Sequence, residues 1–264
     1  MSELVKFVIA GQQRTGSTML VLSLDQHANI CCRGELFIKV YPNTTRASYE
    51  AYIRQSIGHR ARHLFRRKYS TTTYLNEIFS APRSLFTDDD KWRNCKAVGF
   101  KMMYEQAMKH PAAWSYFRDG RFQVILLARR NPLRILLSRR IRRQTGVVNR
   151  MSNDDVPSEI SAPDRIKVDV TNLLRTLENL ASINQRWEKL ASSMSSMRVN
   201  YEDMERDMPR EIDRILDFLG MPRQPGLEPP TVKLNAAAIA DIVTNYEEVA
   251  ERLRGSAFEW CLAD

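Results

Sequence analysis

The chain is poor in residues that build metal or disulfide sites. Four cysteines in 264 residues (Cys31, Cys32, Cys95 and Cys261) are too few and too scattered for a disulfide framework. Neither C-x-x-C nor a Cys/His spacing of a zinc site occurs, so no metal is expected. Histidine is as scarce, and His27, His59, His63 and His110 all read as surface residues on helical or terminal segments. Long apolar runs are missing too. MSELVKFVIAG has only the short run 7–10, with Val5 before it, and a glycine-bearing turn follows, which reads as a strand rather than a signal peptide or membrane span. These absences point to a reducing, cytoplasmic setting with no stable membrane insertion. Acidic residues are the scarcer charge: 31 Asp+Glu against 40 Lys+Arg leave a formal net charge of +9. A surplus of that size calls for an anionic partner, with nucleic acid, anionic membrane and a phosphorylated small molecule all open.

What is present is globular. A 43% hydrophobic and 27% charged composition excludes wholesale disorder, and no internal repeat or low-complexity tract divides the chain. Residues 6–10 (KFVIA), 97–101 (AVGFK), 122–128 (FQVILLA) and 197–201 read as buried strands, with a shorter one at 29–32. Between them, helical patterns are expected after residue 17 and over 46–69, 74–79 (with an N-cap among threonines 71–73), 111–117, 132–145, 170–194 and 209–219. Strands alternating with helices make an α/β protein with a central parallel sheet flanked by helices. One domain, 1–264, is expected.

The first strand runs into Gly11-Gln-Gln-Arg-Thr-Gly-Ser-Thr18 and then a helix. A strand–loop–helix turn of this kind gathers backbone N–H groups and a helix N-terminus into an anion cradle. The spacing is that of G-x-x-x-x-G-K-[ST], so the fold is P-loop-like, yet Ser17 stands where the lysine belongs. The positive charge sits at Arg14 instead, and the strand 122–128 ends in Arg129-Arg130 rather than a magnesium-binding acid. Phosphate binding fits; cleavage of a nucleoside triphosphate does not. The same turn would also suit a simple Ser/Thr-capped helix start.

A second basic segment, ARRNPLRILLSRRIRRQTG, carries seven arginines between 129 and 143. Arg130 falls at the carboxyl end of a strand, where α/β proteins bind ligands, and Ser138 lies about two helical turns on. Taken alone, the cluster reads equally as a solvated basic helix face. Together, R-T-G-S-T after the first strand and R-N-P with a serine eight residues after the arginine resemble the two signatures of sulfotransferases that use 3′-phosphoadenosine 5′-phosphosulfate (PAPS). The bacterial small-molecule and carbohydrate branch, nodulation-factor-type enzymes included, is similar also at RGELF (33–37), VGFKMMYEQ (98–106), VNYEDM (199–204) and NYEEV. The resemblance implies the sulfotransferase fold, PAPS as donor and PAP as product. It implies a first loop (Arg14, Thr15, Gly16, Ser17 and Thr18) on the 5′-phosphosulfate, with Arg130 and Ser138 on the 3′-phosphate. The glycine-rich donor loop near the C-terminus of cytosolic phenol and steroid enzymes is not visible here; Lys233 and Asn235 are candidates for its place.

In-line transfer of a sulfuryl group needs a base for the acceptor hydroxyl. The resemblance favours Glu35, after the short second strand, although a glutamate there would also cap a helix or pair with Arg33. Lys101, at the end of AVGFK, would reach phosphosulfate or substrate, or stand as an ordinary surface lysine; Glu105 and Asp25 are reserves. The catalytic set expected is therefore Glu35, Arg14 and Lys101. Segments 40–95 and 147–168 are the expected walls for a small-molecule or carbohydrate acceptor. A P-loop small-molecule kinase and a basic nucleic-acid-binding protein are the competing readings; the chain carries no platform or zinc module for the latter, so no nucleic-acid partner is expected.

Overall fold

Alternate side chains of β1 (Val5–Gly11) enter two different cores. Val8 and Ala10 pack with Phe100, Phe122 and Val124 on one face. Phe7 and Ile9 pack with Leu20, Ile125 and Leu216 on the other. A strand covered on both faces has to be apolar at successive positions, which is why this stretch reads as an unbroken apolar run. The computed structural model describes residues 4–37, 71–80, 91, 94–145, 150–151, 165–228, 231–232 and 237–263.

From β1 the chain passes through α1 (Ser17–Leu24), β2 (Ile30–Glu35), α2 (Thr71–Ser80) and β3 (Ala97–Met103). It continues through α3 (Tyr104–Lys109), α4 (Pro111–Asp119), β4 (Gln123–Ala128), α5 (Pro132–Thr145) and the two-residue β5 (Arg150–Met151). Then come α6 (Leu173–Ala191), β6 (Ser196–Asn200), α7 (Tyr201–Arg206), α8 (Met208–Leu219), β7 (Thr231–Val232), α9 (Ile239–Ile242) and α10 (Tyr246–Leu253). Five strands form one sheet in the order β2–β3–β1–β4–β6, every pair parallel. After β1 the chain leaves toward β2; after β3 it crosses to β4 on the opposite side. The connections therefore diverge at the carboxyl ends of β1 and β3, opening the crevice in which doubly wound sheets take ligands.

The α/β architecture and parallel sheet are those expected. Several details differ. The three threonines 71–73 lie inside α2 instead of capping it. Helices α3 and α7 were not expected, since six residues are too few to establish a helical period. β2 and β3 run on to Glu35 and Met103, carrying their last residues to the crevice. β5 and β7 pair antiparallel, too short to leave a pattern in the sequence. His27 is a correction: it is buried, its Nδ1 accepts from the Asn29 N–H at 3.0 Å, and its Nε2 donates to the Pro222 carbonyl at 2.9 Å. It bridges two loops because the end of α1 is covered by the segment after α8. The helix expected over 46–69, Lys233, Asn235, and most of segments 40–95 and 147–168 lie outside the described residues.

Helix α5 is locked in rotation by Leu133, Leu137 and Ile141, which at i, i+4 spacing face a third core with Leu173, Leu177 and Ile242. Ser138 and Arg142, each one position round from that buried row, reach the loop after β1.

Candidate active site

The loop between β1 and α1 is shaped by two residues in the left-handed region, Arg14 at φ 72° and Gly16 at φ 80°. Only glycine suits position 16: besides its dihedral, an added Cβ would lie 2.6 Å from the ring of Tyr201 on α7. At Gly11 a Cβ would meet the Leu127 carbonyl of β4 at 2.6 Å. The loop is thus clamped between β4 and α7. Thr15 is buried and donates its hydroxyl to the Gln12 carbonyl at 2.8 Å. Gln12, also buried, donates to the Leu180 carbonyl of α6. The loop ends at the N-terminus of α1, whose first N–H groups have no acceptor within the helix and whose dipole favours an anion.

Around this loop the structure assembles cations. Arg14 donates from Nε to Ser138 Oγ at 2.8 Å. Arg129 lays its guanidinium over the Tyr201 ring, 4.3 Å from the centroid, and donates to the Arg14 carbonyl. Arg139 and Arg142 reach Gln12 and Gln13 on the loop. Burial pulls the Arg14 pKa below the ordinary arginine value, and the charges of Arg142, Arg129 and Arg139 push it the same way. Burial likewise lowers Arg129 and Arg139. So much like charge at one place disfavours the charged form of each guanidinium.

Lys101 comes from β3, and only 5% of its surface is exposed. Its Nζ donates to Thr18 Oγ1 at 3.0 Å and lies 3.4 Å from Glu35 Oε1. Burial lowers the Lys101 pKa, and the Glu35 carboxylate opposes that shift. The second Glu35 oxygen accepts from Gln106 Nε2 at 2.7 Å, while Gln106 Oε1 accepts from the Met103 N–H. A bulge makes the pair possible. The register runs Arg33↔Phe100 and then Glu35↔Lys101, skipping Gly34. Plain alternation from Ile30 and Cys32 would put Gly34 on the Lys101 face and turn Glu35 away.

The structure therefore gathers Arg14, Thr18, Lys101, Glu35 and Ser138 at one crevice. Arg130 is engaged by other partners. It is exposed, and its guanidinium is held by both oxygens of Asp203 at 3.0 and 2.5 Å, raising its pKa and lowering that of Asp203. Its backbone N–H donates to Glu202. Of the two residues expected on the 3′-phosphate, Ser138 is joined to Arg14 and Arg130 to a carboxylate that α7 supplies. Asp25 pairs with Arg33 and Lys91 and accepts from the Cys32 N–H, a structural role. Sequence reasoning missed Arg129, Tyr201 and Gln106; nothing local separates Arg129 from Arg130 until α7 is packed beside them. Among the described residues no group of His, Cys, Asp or Glu is placed to hold a metal, and no helix is long and apolar enough to cross a membrane.

Fold and site together define an α/β protein with a cation-lined crevice. A sequence model of the sulfotransferase family matches residues 7–225, and the chain belongs to that family. Its fold is similar to the sulfotransferase domain from the curacin biosynthetic pathway, at 13% identity over 91% of this chain and 83% of that one, with a TM-score of 0.52. A sulfotransferase from Alicyclobacillus acidocaldarius aligns at 11% identity over 89% and 88% of the two chains, TM-score 0.47. Mouse SULT7A1 complexed with PAP aligns at 11% over 98% and 87%, TM-score 0.43. No curated protein matches the sequence.

Proposed function

We propose that the chain is a PAPS-dependent sulfotransferase acting in the cytoplasm on a hydroxyl or amine of a small-molecule or carbohydrate acceptor and releasing PAP. One observation carries the reading: Lys101 bridges Thr18, at the start of α1, and the Glu35 carboxylate. An anion-binding helix start, an ammonium and a potential base thereby stand within hydrogen-bonding reach of one another.

The residues fit the donor. Its phosphates suit the loop after β1, where Arg14 and Arg129 bring two positive charges together. When bound, PAPS supplies a sulfuryl group activated by a phosphate leaving group. Thr15, Gly16, Ser17 and Thr18 would hold its 5′ end through the loop and the α1 N-terminus. Ser138 and Arg130 would take the 3′-phosphate, Arg130 keeping or exchanging its Asp203 partner, with Lys233 as a further ligand. Arg14 and Lys101 stabilise negative charge on the departing oxygen. Glu35 accepts the acceptor's proton, and Gln106 holds the carboxylate's other oxygen so that it presents a defined face. No step requires a metal.

The test is incubation with PAPS and a panel of glycans, phenols, alkaloids and amines, read by mass spectrometry for a gain of about 80 daltons, one SO₃ group. Thermal stabilisation by PAP in the presence of a chelator is expected alongside. Failure of PAP to bind, with magnesium-dependent ATP turnover in its place, refutes the reading.

A further inference from the structure

Beyond the donor loop, α5 continues into a recess of about 340 Å³ lined by Gln13, Glu105, Arg139, Arg142 and Arg143. Three guanidiniums face one carboxylate there. Among the described residues no carboxylate forms an ion pair with any of the three; Glu105 acts on Arg139 only through space. Arg139 Nε is buried without a hydrogen-bond partner. A cationic surface that folding leaves unneutralised, with a donor already stripped of water, is costly unless a ligand answers it.

The recess adjoins the proposed donor contacts and extends past them. Arg142 lies four residues past Ser138, about 6 Å further along the helix. Its remaining wall, Glu105, belongs to α3 and adjoins Gln106, which holds Glu35 at 2.7 Å. The recess thus borders the helix that holds the potential base.

We propose that this recess recognises an anionic group on the acceptor, so that the substrate class is an alcohol or sugar already bearing a carboxylate, sulfate or phosphate. Arg142 and Arg143 take the anion, and Arg139 supports it from beneath. Glu105 limits the affinity, which keeps a product bearing one more sulfate from being retained. The proposal rests on the sulfotransferase reading, since it takes Glu35 as the end of the site where the acceptor reacts.

The experiment uses the full chain saturated with PAP, so that added anions are kept out of the donor site. Two matched pairs are titrated calorimetrically: 4-hydroxybenzoate against 4-hydroxybenzamide, and glucose 6-phosphate against glucose. In at least one pair the anion is expected to bind about tenfold more tightly than its neutral partner, the scale of one charge-assisted contact. Arg142→Gln/Arg143→Gln should abolish that preference while PAP affinity stays within about twofold, and Glu105→Gln should strengthen anion binding, a gain that a merely structural glutamate would not produce. Equal binding of charged and neutral partners overturns the proposal, as does a preference that survives the double substitution. If PAP itself does not bind the unmodified chain, the sulfotransferase reading fails first, which is a distinct result.

Discussion

Replacing Glu35 by glutamine keeps the side chain's shape and deletes its charge, and two consequences can be worked from the geometry. Lys101 Nζ lies 3.4 Å from the carboxylate in a nearly water-free position, where burial already disfavours the ammonium. Without Glu35 that ammonium retains Thr18 as an acceptor but no counter-charge. The expected loss is about 2–3 kcal/mol, below the full cost of breaking a buried pair because Glu35 is partly solvated. The sign with pH follows from the lowered lysine pKa. Between the folded and unfolded values the unfolded chain binds the extra proton, so stability contributed at this site rises as pH climbs through that window. Losing Glu35 lowers the folded value further. The deficit of the variant should therefore be largest near neutral pH and shrink as pH rises toward the ordinary lysine value, read by urea denaturation. Glu35→Gln/Lys101→Met should regain most of the stability, since the unpaired charge is gone, while regaining no turnover. For catalysis, loss of the base should cost about 10²- to 10⁴-fold in turnover with an acceptor found by mass gain, PAP affinity staying within about threefold. A double variant no more stable than the single refutes the electrostatic argument. Turnover within about fivefold of the unmodified chain removes Glu35 from the role of base.

Arg14→Ala should lower turnover by about 3 kcal/mol in activation free energy, the scale of one lost transition-state donor; a few-fold change would sink the assignment. Because Arg14 sits at φ 72°, Arg14→Gly should be more stable than Arg14→Ala by about 1 kcal/mol in denaturant titrations, and the reverse order would contradict the loop's geometry. Gly16→Ala faces both a positive φ and the Tyr201 ring, and should cost about 2–4 kcal/mol; a midpoint shift too small to measure would mean that α7 yields freely. Arg130→Ala should raise the dissociation constant for PAP about tenfold with little change in turnover at saturating donor. If the rate alone falls, the 3′-phosphate is bound elsewhere.

The unit from β1 to α1 was legible because its determinants are neighbours in sequence: an apolar run covered on both faces, a glycine at 16 and hydroxyls opening a helix. Ser138 was legible as a residue of the site but its partner was not. The pairing of Arg14 with Ser138 depends on the rotation of α5, set by Leu133, Leu137 and Ile141 against helices that follow much later. Arg129 and Arg130 are adjacent and chemically identical, and their different fates come from Tyr201 and Asp203 on a six-residue helix too short to show a helical period. His27 read as a surface histidine because nothing near it announces the Pro222 carbonyl it meets.

By itself, then, the sequence determined that this protein has a parallel α/β sheet, a glycine-bearing loop from its first strand into a helix, and a basic helix beyond its fourth strand. Such properties follow from periodicity and from residues close together in the chain. Only the tertiary structure decided that Glu35 and Lys101 meet. They are far apart in sequence, and they share a face because parallel pairing aligns β2 with β3 and a bulge at Gly34 advances the register by one residue. A period of two makes that single residue the difference between a carboxylate at the crevice and one turned away from it.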